Sequence, residues 1–333
     1  MTLGRVRARK LVKAFSDLRI LVIGDLMLDR YIYGAVRRIS PEAPVPVVSV
    51  KNEKGMPGGA SNVAWNVQTL GAQSDVAGLI GEDANGEALS ALLRQGGVGV
   101  DAVLRNPGGC TTVKTRVIAE RQQVVRVDRE AALHLEGDLL KRFCTAIREA
   151  TARVDGVIIE DYGKGVICQA VVDAALTAAE ERNIPVGYDP KDDQLFDVRG
   201  VTLATPNRTE AYASVGRVEP LEDLPPLEDA GLLDVGQVLQ EKWGVEWLII
   251  TLGSQGMLLL EKNEKPKHIP TCAREVFDVS GAGDTVIATS MLARCAGATA
   301  YETVELANYA AGLVVAQLGT APCGADALLE SIP

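Results

Sequence analysis

Five short apolar runs constrain the fold more than any other feature of the chain. Arg19–Gly24, Gly156–Glu160, residues 184–188, residues 201–204 and Trp247–Thr251 are continuous rather than alternating, the pattern of strands buried on both faces. Between them, residues 62–70, 87–95, 138–152, 170–182 and 232–243 carry apolar side chains at three- and four-residue spacing, as amphipathic helices do. This alternation predicts an α/β fold: a doubly wound, mostly parallel sheet with helices on both faces. Ligands of such sheets sit beyond the carboxyl ends of the strands, so Asp25, Asp29, Asp161 and Asp189 are expected on one rim.

Two stretches break the alternation. Residues 31–50, with Pro41, Pro44 and Pro46, and residues 111–128, which are β-branched and basic, read as extended strands outside the main sheet, a small lid above the rim. Pairing lid to lid would cover their edges, so a homodimer is expected. The acidic stretch 218–229 reads as an exposed connection, leaving one domain over residues 1–333.

Composition removes several function classes. With 34 Lys and Arg against 44 Asp and Glu, the net charge of -10 argues against nucleic-acid or anionic-membrane binding, so an anionic ligand needs a local cluster. Six scattered cysteines without a C-x-x-C pair read as reduced thiols of a cytoplasmic protein. His134 and His268 are the only histidines, which excludes an H-E-x-x-H zinc site. No apolar run approaches the ~18 residues of a membrane span. A G-x-x-x-x-G-K-[ST] loop is absent, and strand one lacks a G-x-G-x-x-G turn, which disfavours P-loop and dinucleotide-binding enzymes.

The sharpest motif is Asp278-Val279-Ser280-Gly281-Ala282-Gly283-Asp284, followed by a helical run. Its glycines let backbone approach a ligand, the helix start offers free N–H groups to an anion, and Asp284 in the first turn can take a proton from an attacking hydroxyl. By itself the segment reads equally as a glycine-rich turn with a capping aspartate. Gly58, Gly59, Ser61 and Asn62, also before a helix, suit sugar hydroxyls or a plain capped turn. Asp25 and Asp29 suit adjacent hydroxyls or solvent. Asp161 to Lys164, Asp189 to Lys191, and Asn207 to Glu210 each follow a strand; the lysines suit phosphates, and Asn207 with Glu210 suits a hydrated Mg2+.

In order along the chain, G-D-x-x-x-D (24–29), P-G-G-x-x-N (57–62), T-P-N-x-x-E (205–210), T-x-G-x-x-G (251–256) and D-x-x-G-A-G-D (278–284) resemble the ribokinase-like, PfkB-type carbohydrate kinases over essentially the whole chain. That resemblance implies Asp284 as base and the amides of Gly281, Ala282 and Gly283 as anion hole. Asp29, Gly59 and Asn62 would hold sugar hydroxyls, with Gly58 beside them. Lys191, Asn207, Glu210, Thr251, Gly253, Gly256 and Asn308 would surround ATP, and Asp278 with the Ser280 carbonyl would bind a monovalent cation such as K+. Residues 38–48, 160–165 and 122–128 further resemble heptose kinases of lipopolysaccharide-core synthesis, which convert D-glycero-β-D-manno-heptose 7-phosphate to the 1,7-bisphosphate with ATP and Mg2+. Some of those carry a fused domain with an H-x-G-H motif; its absence here reads as the single-function form. One departure is Glu120-Arg121, where Arg-Asn is expected. Arg116 with Arg121 or Arg126 is the expected clamp for the 7-phosphate, with Asp161 and Lys164 nearby. Other kinases of the family, acting on fructose or tagatose phosphates or a free sugar, and a non-catalytic sugar-binding protein of the same fold remain open.

Overall fold

The structure, a computed structural model, describes residues 3–333 apart from 121, 132, 134, 192–195, 223, 274–275, 318 and 320–321. The first half of the chain runs α1 (Arg5–Ala14), β1 (Arg19–Gly24), β2 (Leu26–Ile39), β3 (Pro46–Gly59), α2 (Ala60–Thr69), β4 (Gln73–Gly81), α3 (Ala84–Gln95), β5 (Gly99–Asn106), β6 (Thr112–Ala119) and β7 (Gln122–Arg129). There follow α4 (Gly137–Thr151), β8 (Gly156–Glu160), α5 (Gln169–Arg182), β9 (Val186–Asp189), β10 (Leu203–Ala204), α6 (Arg208–Ser214) and α7 (Ala230–Trp243). The chain closes with β11 (Trp247–Thr251), β12 (Met257–Glu261), β13 (Lys267–Ile269), α8 (Ala282–Cys295), α9 (Ala300–Val314) and α10 (Ala325–Ser331).

Nine strands form the main sheet in the order β13-β12-β11-β10-β9-β8-β1-β4-β5, parallel from β11 to β5 and antiparallel at the β12–β13 edge. Successive residues of β1 feed opposite faces, as a period of two requires. Ile20 and Val22 join a core with α1, α2, α3, α8, α9 and α10, while Leu21 and Ile23 join a second core with α4 to α7. That is the doubly wound arrangement expected from the apolar runs. Gly24 closes β1 because β8 passes so near: a Cβ there would sit 2.1 Å from the Glu160 carbonyl oxygen.

The second sheet has the order β3-β2-β6-β7. β2 leaves β1 after one residue, pairs antiparallel with β3 from Leu26↔Gly59 to Ile39↔Pro46, and pairs parallel with β6 from Met27↔Thr112 to Gly34↔Ala119. The lid strands expected over 31–50 are therefore longer at both ends. The β-branched run was visible in the sequence, but the flanking Leu26–Arg30 and Lys51–Gly59 lack its alternation and are extended through pairing instead. β6 and β7 fall within a residue of the expected 111–128. All eight residues of β7, an edge strand, are exposed. Among the described residues no helix is long and apolar enough to cross a membrane, and the six cysteines are unbridged.

Candidate active site

Helix α8 starts at Gly281, whose φ of +79° disfavours any side chain, and no side chain caps it. The Ala282 amide turns back to the Val279 carbonyl at 3.2 Å, whereas the amides of Gly283 and Asp284 meet no backbone carbonyl among the described residues. The Gly283 amide is thus left for an anion at the positive end of a helix dipole, while the Asp284 amide is shared with its own carboxylate. Asp284 is not the cap. Its carboxylate, 4% exposed, accepts from Asn62 Nδ2 at 2.5 Å and from Tyr162 Oη at 2.6 Å. Burial pushes its pKa up against the pull of those two hydrogen bonds, and the charge of Asp29 adds to the rise. Burial and the charges of Asp284 and Glu160 hold the Tyr162 phenol well above its ordinary pKa, so it is a permanent donor.

Asn62 reaches Asp284 because α2 begins at Gly59, with φ +56° and no side-chain cap. Side chains would not fit in this corner: a Cβ on Gly59 would lie 2.5 Å from the Asp25 carbonyl oxygen, and one on Gly58 would lie 2.9 Å from Asp29 Cγ. Asp25, read above as a hydroxyl ligand, has another task. Its Oδ2 accepts from the backbone of Tyr162 and Lys164, both at 3.0 Å, and its Oδ1 accepts from Val166 at 3.1 Å. The side chain shapes the loop that delivers Tyr162. Asp161 similarly accepts from the Gly163 amide at 2.8 Å.

The second sheet closes this corner with one face. In register, Asp29 lies beside Lys114, Tyr31 beside Arg116, and Arg116 opposite Arg126. Arg116 is engaged by Asp29 Oδ1 at 2.9 Å and stacks over Tyr31, 5.3 Å from the ring centroid. Arg126 bonds Asp128, and Lys164 Nζ pairs with Glu130 at 2.7 Å. Arg121 lies outside the described residues.

The other expected ligands gather farther along the rim. Asn207 and Glu210 form a capping box on α6: the Glu210 amide donates to Asn207 Oδ1 at 2.9 Å and the Asn207 amide to Glu210 Oε2 at 2.8 Å. Lys191 Nζ stands 3.7 Å from Glu210 Oε1. Behind them stand Glu160 and Asp189, neighbours in register; burial pushes both well above their ordinary values, helped by the charge of Asp189 on Glu160 and by that of Glu210 on Asp189. Thr251 to Gly256 form the tight turn between β11 and β12, and a Cβ on Gly256 would strike the Ile269 carbonyl oxygen at 2.1 Å. Thr251, Gly253, Gln255, Asn207, Thr209 and Glu219 line a cleft of about 620 Å³. Asn308 donates to the Pro270 carbonyl at 2.6 Å and so ties the strand end beside this cleft. Asp278 accepts from the amides of Ser280 and Gly319; burial opposes them, but with Arg116 they hold its pKa below the usual range.

The site thus assembles an outward-facing helix start, a carboxylate with a raised pKa beside it, and a polar corner roofed by a cationic face. Such an arrangement can take a proton from a hydroxyl while stabilising charge on a transferring phosphoryl group. Tyr162 and Lys114 lie within the stretches 161–164 and 111–128 singled out in the sequence, which gave neither a role.

Comparisons with known proteins agree with this chemistry. Residues 17–327 match the pfkB family carbohydrate kinases. The bifunctional protein HldE of Caulobacter vibrioides is 46% identical over 311 residues, which cover 93% of this chain and 62% of that protein. The corresponding protein of Pelobacter propionicus is 43% identical over 313 residues, covering 94% and 62%. The chain therefore spans about 62% of the length of these curated relatives. Arabidopsis thaliana ribokinase complexed with ribose and ATP superposes with a TM-score of 0.72 at 22% identity, covering 95% of this chain and 98% of that one. Escherichia coli phosphofructokinase-2 in complex with potassium gives 0.73 at 20% identity with the same coverage.

Proposed function

We propose that this chain, which belongs to the pfkB family of carbohydrate kinases, transfers the γ-phosphoryl group of ATP to O1 of D-glycero-β-D-manno-heptose 7-phosphate. The observation that carries the phosphotransfer is Asp284, fixed by Asn62 and Tyr162 at the start of α8, where the Gly283 amide meets no backbone carbonyl among the described residues. Support for the heptose comes from the resemblance of residues 38–48, 122–128 and 160–165 and from the identity with the HldE proteins.

In this reading Asp29, with Gly58 and Gly59 leaving room, and Asn62 hold sugar hydroxyls. Asp284 takes the O1 proton as the oxygen attacks, and the Gly283 amide steadies the charge on the transferring group. ATP lies along the cleft at Thr251, Gly253 and Asn207, with Lys191 at its phosphates. Among the described residues no three acidic, His or Cys side chains are grouped to bind a metal directly, which fits a hydrated Mg2+ carried on ATP. Glu210 Oε1 would meet its water, while Asn207 serves mainly the helix cap; bound there, the ion would offset phosphate charge. Asp278, charged and anchored at both ends of its loop, fits K+ as a ligand beside Ser280. The reaction belongs in the cytoplasm, where ATP and reduced thiols occur together.

An ADP-release assay over a panel of sugar phosphates tests this reading. Heptose 7-phosphate should be the best substrate; faster turnover of fructose 6-phosphate, tagatose 6-phosphate or a free sugar overturns it.

The second sheet supplies a reading of assembly as well. Ile32, Val117 and Val125 are lateral neighbours on its outer face, Val125 and Val127 are 47% and 55% exposed, and β7 has an open edge. Covering both calls for a second copy, and a homodimer is expected in sedimentation at micromolar concentration. A monomer across that range would refute it.

A further inference from the structure

Basic side chains around the substrate corner differ in what they already hold. Arg116 is engaged by Asp29, Arg126 by Asp128, and Lys164 by Glu130. Lys114 is the exception: among the described residues no carboxylate lies within ion-pair distance of it, although it projects from the same face of β6 as Arg116. Its ammonium stands 5.4 Å from the centroid of Tyr162, the residue that donates to Asp284. It is also half-buried; Asp29, the charge that acts on it most strongly, is already ion-paired with Arg116, and Lys164 comes next, ahead of Asp128 and Arg116. A cation facing another cation across a desolvated corner is a place where an anion is strongly favoured. Room for one exists. Thr112, two residues before Lys114 on the same face, and Lys164 line a cleft of about 250 Å³ with Gly108 and Gly109, and Lys114 stands next to Lys164 outside that lining. Asp25 also borders it, but three backbone amides already draw on its carboxylate.

We infer that Lys114, with Lys164 opposite, holds the substrate's own phosphate at the side of this cleft that Lys164 borders, and that Arg116 is instead a positioning residue that fixes Asp29. This deepens the sugar-phosphate reading above and rests on it. Lys114 then sets specificity for a phosphorylated over an unphosphorylated sugar, without taking part in proton transfer.

The test compares heptose 7-phosphate with the same heptose lacking its phosphate, in the wild type, Lys114→Met and Lys114→Arg. The methionine keeps the apolar stem against Tyr162 and removes only the charge. Losing one charge-assisted contact should raise KM for the heptose phosphate on the order of 30-fold, with KM for ATP unchanged and kcat within a few-fold. KM for the unphosphorylated sugar should stay put, and Lys114→Arg should recover most of the loss. An equal fall in kcat on both sugars would place Lys114 at the transferring group and overturn the inference. So would a Lys114→Met enzyme that still prefers the phosphorylated sugar as strongly as the wild type. A wild type that shows no preference for the phosphate refutes the underlying substrate reading, a result distinct from either.

Discussion

Asp284→Asn is expected to lower kcat on the order of 10³-fold while leaving both KM values within a few-fold of the wild type. The amide matches the carboxylate in size and can still accept from Asn62 or Tyr162, so the corner keeps its shape. What it loses is the capacity to take the O1 proton. The pH profile gives an independent check. Burial raises the Asp284 pKa, so the wild-type base stays protonated, and idle, to a higher pH than an ordinary aspartate would. Rate should therefore fall on the acid side at a pH higher than an ordinary aspartate would give, and that limb should vanish from the residual activity of the variant. A variant within threefold of wild-type kcat would show that the proton goes elsewhere.

Asp25→Ala should produce the largest loss of stability, roughly 3 kcal/mol, because three amide donors, one buried and two partly so, lose their acceptor at once. Its effect reaches the chemistry through the backbone. The amides of Tyr162, Lys164 and Val166 are held by this one carboxylate, and Tyr162 in turn holds Asp284. We expect a melting temperature lower by about 5 °C or more, together with a fall in kcat measured well below that temperature. Asp25→Asn keeps one oxygen for part of the loop and should lie between the two. Normal stability in Asp25→Ala, with impaired binding of the sugar alone, would return Asp25 to the role of a hydroxyl ligand.

Asp25 also shows where reading a sequence stops. A carboxylate after a buried strand looks the same whether it will meet sugar hydroxyls or backbone amides; only the return of the chain at residues 162–166 decides. The partnership of Asp284 with Asn62 and Tyr162 is equally hidden, since strand order and not spacing brings those segments together. Asn207 and Glu210 show the opposite case: the N-x-x-E spacing is also a local capping signal, which the sequence reading, taking the pair for a hydrated Mg2+, left undrawn. The five apolar runs were legible because both faces of those strands are buried, which leaves a continuous signature. β10, two residues long, and the short β13 left too little pattern to bound. The helix after Gly281 was visible because a glycine-rich turn running into an apolar stretch of helical spacing marks a helix start.

The second sheet is stitched from two detours of the chain, one between β1 and α2 and the other between β5 and α4. Each detour can fold back on itself as a hairpin, but β2 and β6 become parallel partners only when the chain between them has already been laid down as α2, β4, α3 and β5. Pairing across so long a loop is slow and entropically late. The same holds more strongly for the site itself: β1 pairs with β8 from Ile20↔Gly156 onward, and Asn62 meets Asp284 across 222 positions of chain. The transfer corner and its roof are therefore both built from contacts remote in sequence, and a partly folded chain has neither.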